Sequence, residues 1–107
     1  INYLGKNQMF KKLIFGLGIF TTLLFGAKLV DAKSAYNKGD FKTAFIILED
    51  LASKEDIDAQ YNLGYMYTNG YGTREDKKIA KEWFVKACNS GHQDGCDNYK
   101  KLNQEGY

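Results

Sequence analysis

Cys88, His92 and Cys96 are the residues whose types and spacing could do chemistry. The Cys-x3-His-x3-Cys pattern, with Asp94 inside it, offers thiolate, imidazole and carboxylate donors of the kind zinc takes. The same two thiols can instead pair as a disulfide, and oxidation would remove both thiolates from any metal site. A C-x-x-C redox motif is absent. His92 is the only histidine and lies in a polar stretch, which reads as a solvated turn. As a general base it would need a nucleophile in reach, and Ser90 is its only close hydroxyl in sequence. Gly70-x-Gly72 lacks the G-x-x-x-x-G-K-[ST] pattern and a preceding strand, so it is not a phosphate loop. The sequence assigns no catalytic residue, no metal and no cofactor.

The compartment decides between thiol and disulfide. Met9 is followed by Phe10, Lys11 and Lys12, and then by a 13-residue apolar run, Leu13 to Phe25. Val30-Asp31-Ala32 supplies a small-x-small pattern after it. Positive start, short apolar core and small-residue site describe a secretory signal peptide over Met9–Ala32. The run is shorter than the roughly 18 residues of a spanning helix. An uncleaved N-terminal anchor is the alternative. Residues 1–8 read as an extension upstream of the true start. The expected domain is therefore 33–107, secreted or periplasmic, with no membrane span once the signal is cut. An even cysteine count in an exported chain of that size points to a structural disulfide, Cys88–Cys96. A core of that size is often marginal alone, so a staple makes physical sense.

Export also changes the charge balance. The whole chain carries +2, but from Lys33 onward 11 Lys and Arg stand against 12 Asp and Glu, a net of −1. That leaves no basic surplus for nucleic acid.

The elements that must position these residues are helical. No proline occurs, and no alternating strand pattern persuades. A short first helix is expected over Lys33–Lys38. Gly39-Asp40 then ends one helix and caps the next, Phe41–Ser53, whose apolar stripe runs through Ala44, Leu48 and Leu51. A third helix, about Asp56–Thr68, has Ala59, Leu63, Met66 and Tyr67 as its core face. Gly64 in its interior costs about 1 kcal/mol relative to Ala, which implies a close neighbour there. Asp76 caps a fourth helix, about Lys77–Asn89, and Gly91 separates it from a fifth, about Gln93–Asn103.

Residues 36 apart match. Asp40 repeats as Asp76, Ala44 as Ala80, Leu48 as Phe84, Ala52 as Cys88, Asp58 as Asp94 and Asn62 as Asn98. A capping Asp and an apolar pattern held in one register imply stacked helix pairs, with shortened units at both ends. The set Ala59, Leu63-Gly64, Tyr67, Gly70-x-Gly72, Asp76, Ala80, Trp83-Phe84, Ala87 and Gly91 resembles the Sel1-like repeat, a relative of the tetratricopeptide repeat. The resemblance covers one full repeat, about 59–94, and more loosely 35–102. It implies an all-α solenoid of about five helices. Thr73 stands where the family usually has Val. Cys88 and Cys96 are similar to those of a cysteine-rich, exported bacterial branch whose helix pairs are joined by disulfides.

By the same resemblance, the first helix of each pair lines a concave groove. That puts Asp58, Tyr61, Asn62 and Tyr65 on the groove, joined by Asn98 and Lys101. Tyr and Asn suit recognition, offering rigid area and amide hydrogen bonds; an ordinary solvated face is the alternative. The function implied is a binding or adaptor module for a protein or peptide partner. Some relatives of the cysteine-rich branch are linked to β-lactam binding or weak hydrolysis, which makes β-lactam or peptidoglycan-fragment chemistry the alternative. The serine machinery of such enzymes needs Ser-x-x-Lys, and Ser34 to Lys38 is one residue too long.

Overall fold

The computed structural model describes residues 28–107. The 1–8 extension and most of the expected signal segment lie outside them. Five helices follow in order: α1 over 28–37, α2 (Phe41–Ser53), α3 (Ile57–Asn69), α4 (Lys77–Asn89) and α5 (Gln93–Gln104). Among the described residues there is no strand, and no helix is long and apolar enough to cross a membrane.

The starts of α2, α3, α4 and α5 are each fixed by one side chain accepting a backbone N–H of the first turn. Asp40 accepts from Thr43, Asp56 from Ala59, Asp76 from Ile79 and His92 from Gly95. These caps extend the 36-residue register. Asp40 and Asp76 start the second helix of a pair; Asp56 and His92 start the first. The turns repeat too. Glu55 (φ +69°) and Gly91 (φ +99°) share one register position, and Gly70 (φ +69°) and Gly106 (φ +94°) share another. Glu55 is therefore a left-handed residue where the next unit uses glycine.

The apolar stripes pack into two adjoining clusters. One holds Ala44, Leu48 and Leu51 of α2 against Ala59, Leu63 and Met66 of α3, with Ala32 and Ala35 of α1. The other gathers Ala80 and Phe84 of α4 with Leu102 of α5. Tyr67 packs against both, and Trp83 against the first, each half-buried. Gly64 is the close approach its position implies. A Cβ there would lie 2.8 Å from Cδ1 and Cε1 of Phe84. Gly72 has a left-handed φ, and a Cβ on it would run into the Phe41 carbonyl. The α3–α4 turn thus lies directly on the start of α2, tying one unit to the previous one.

α1 is longer than its sequence pattern implies, because its upstream residues have core to pack on. Ala32 is 2% exposed, Leu29 packs on the same cluster, and Lys28 Nζ lies 3.3 Å from Asp50 Oδ2. A cut after Ala32 would fall inside this helix and remove Leu29 and Ala32 from the fold.

Cys88 and Cys96 are joined by a disulfide, with Cα atoms 4.5 Å apart. The register places Ala52 and Gln60 at the same positions one unit earlier. Among the described residues Gln60 is the buried polar one, 2% exposed, and its Nε2 reaches the Ala52 carbonyl at 3.5 Å. Its Oε1 has no protein partner among the described residues. A hydrogen bond holds one unit where a covalent bond holds the next. The double variant Ala52→Cys/Gln60→Cys should therefore form a second disulfide on oxidation. Intact mass after alkylation, with and without reduction, checks this; two extra alkylated thiols in the unreduced protein would show that the units do not share this geometry.

Candidate functional site

α1, α3 and α5 are the first helices of successive pairs, and their shared face carries a groove. Between α1 and α3 it encloses about 630 Å³. Leu29, Val30 and Tyr36 form one wall. Asp58, Asn62 and Tyr65 form the other, at spacings of four and three residues that set them on one stripe of α3. Leu48 and Met66, both buried, lie beneath. A smaller hollow of about 250 Å³ lies between α3 and α5, where Tyr65 and Thr68 meet Asn98 and Lys101. The six residues expected on this face thus border one hollow or the other, with Tyr65 shared between them.

They are not equivalent. Asp58, Asn62 and Lys101 are exposed, and Tyr65 is 41% exposed. Tyr61 is half-buried. Its ring packs on Phe84 at 5.7 Å, and its hydroxyl faces the Asn98 amide at 3.5 Å. Asn98 also donates to the Asp94 carbonyl at 3.0 Å. Tyr61 and Asn98 therefore hold α3 to α5 as much as they line the face.

Tyr36 closes one end of the groove. It belongs to an aromatic group in which Phe41 and Tyr71 stack at 4.5 Å and Tyr65 lies 6.2 Å from Tyr71. Burial, then the neighbouring Tyr65 hydroxyl, pushes the Tyr36 phenol above its usual value.

His92 closes the other end, and here sequence and structure differ. It is no solvated turn residue: its side chain is 19% exposed and its ring stacks on Tyr61 at 4.4 Å. Nδ1 accepts the Gly95 N–H at 3.2 Å, so the neutral ring carries its proton on Nε2. Such a ring has no free lone pair for a general base or a metal. With both thiols in the disulfide, the Cys–His–Cys donor set is spent. Among the described residues, no group of three or more His, Cys, Asp or Glu is placed to hold a metal. The cue to His92 was its register match with Asp56, which marks it as a cap.

Residues 57–92 match the family model of the Sel1 repeat. They span α3, the Gly70–Gly72 turn and α4, the central pair of the array. A search of curated proteins finds no match. The chain carries a Sel1-like repeat within an all-α helical array, the kind of unit that forms protein-interaction modules.

The double role of His92 separates by substitution. His92→Ala loses the cap, about 1 kcal/mol, and the stacked ring, about 0.5–1.5 kcal/mol. A melting point lower by roughly 6–20 °C is expected. His92→Asp restores the cap and should recover at least half of that loss. Equal melting points for wild type and His92→Ala would contradict the capping role.

Proposed function

We propose that this Sel1-like repeat protein is an exported binding module that engages a protein or peptide segment along the groove of α1, α3 and α5. One observation supports it most: the tyrosines and amides expected on this face from the repeat border a real hollow, with an apolar floor and polar rims. Its volume lies in the range of specific ligand sites. The opposite α2–α4 side offers fewer anchors, with Ile46 its exposed large apolar residue. The disulfide supports export, since such bonds persist in oxidising compartments. The apolar, positively started segment before α1 supports it as well.

β-Lactam or peptidoglycan-fragment chemistry, the alternative, gains nothing from the arrangement. Ser34 and Lys38 sit at the end of α1 and just beyond it, one backbone hydrogen bond apart, without the Ser-x-x-Lys spacing. The His92 ring already serves as a cap. A chromogenic β-lactam left unhydrolysed, together with no acylation by a labelled penicillin, would remove that reading.

The groove is tested with its exposed residues, because Tyr61 also supports the fold. Asn62→Ala/Tyr65→Ala should lose at least 80% of the envelope proteins captured by the wild-type chain, on the order of 1 kcal/mol. Ile46→Ser should lose none. Equal capture by the groove variant, at unchanged melting point, would show that another face binds.

A further inference from the structure

His92 reaches the groove with one nitrogen already committed. Nδ1 takes the Gly95 N–H, and Tyr61 covers a ring face. Nε2–H is left at the wall where Asp58 and His92 meet, and among the described residues it makes no hydrogen bond. Asp58 Oδ1 stands 3.8 Å from it, beyond hydrogen-bond reach. The Asp58 side chain is 69% exposed and sits in the first turn of α3. A fixed donor and a charged acceptor therefore lie side by side at the rim of an apolar groove.

A ligand group that engages both must donate to Asp58 and accept from His92 at once. An isolated carbonyl would leave Asp58 unpaired, and an isolated amine would leave His92 unpaired. One residue of an extended chain satisfies both. Its N–H and C=O point to the same edge, which is how paired strands exchange two bonds with a single residue. A helical segment has these groups bonded within itself.

The geometry points to a backbone clamp: Asp58 accepts the N–H, and His92 Nε2–H donates to the C=O, of one residue in an extended peptide. The clamp rests on the groove reading and specifies its ligand. Side chains alternate along a strand. A neighbour of the clamped residue is then directed at the floor over Leu48 and Met66, where it must be apolar. The ligand class is an extended segment with an apolar residue beside the clamped one.

The probe is a heptapeptide selected from a displayed random library on the full chain, then synthesised with capped ends and methylated at each backbone nitrogen in turn. One methylated position should weaken binding about 10-fold or more, the loss of a hydrogen bond to a charged group. In Asp58→Ala that same methylation should change affinity less than 3-fold. His92→Asp should also weaken the unmethylated peptide about 10-fold while keeping the fold, since its carboxylate still caps α5. A peptide that needs Asn62 and Tyr65 yet tolerates every methylation, or binds both variants as tightly as wild type, overturns the clamp and leaves the groove standing. Selected peptides indifferent to Asn62→Ala/Tyr65→Ala overturn the groove and the clamp together.

Discussion

The contact of the Phe84 ring with the bare backbone of Gly64 sets how closely α4 approaches α3. Much else follows from that spacing, because α3 is used on two sides. Leu63 and Met66 are buried in the core, while Asp58, Asn62 and Tyr65 border the groove. A methyl group at Gly64 would push Phe84 away. Tyr61 rests on the same ring, so the groove wall would shift with it. The interior glycine costs about 1 kcal/mol of helix propensity. Dense packing offsets this, since a large aromatic side chain is then 98% removed from solvent.

The end of the array is held less by apolar area than by links. α5 buries only Gly95 and Leu102 fully, so a packed face alone would locate it poorly. The disulfide fixes its first turn to the last turn of α4. Closing so short a loop is worth about 2–3 kcal/mol in the chain-entropy account. The His92 cap and the Tyr61–His92 stack then carry that position back to α3. The same few residues that anchor the last helix also shape one end of the groove.

Much of this was legible in sequence. The bounds of α2 and α4 follow from Asp40 and Asp76, and the left-handed glycines mark turns. The Cys88–Cys96 pairing follows from the even cysteine count, and the stacking of helix pairs from the repeat resemblance. Other features were hidden for physical reasons. Leu29 and Ala32 lie at helical spacing with Ala35, but Val30-Asp31-Ala32 also fits a small-residue cleavage pattern, so the letters alone do not mark where α1 begins. Gln60 is polar by type and lies outside the apolar stripe of α3. Only its register match with Cys96 reveals a position that faces the preceding helix. His92 is ambiguous by type, because a ring nitrogen caps, titrates or ligates according to which partner it meets.

Binding is proposed on the face of α1, α3 and α5. Backbone amide shifts of the folded chain, followed as a captured segment is titrated in, test it residue by residue. The largest changes are expected at Tyr36, Asp58, Asn62, Tyr65 and His92, with Ile46 and Lys86 on the other helices unmoved. Changes concentrated on α2 and α4, with the groove silent, would contradict it.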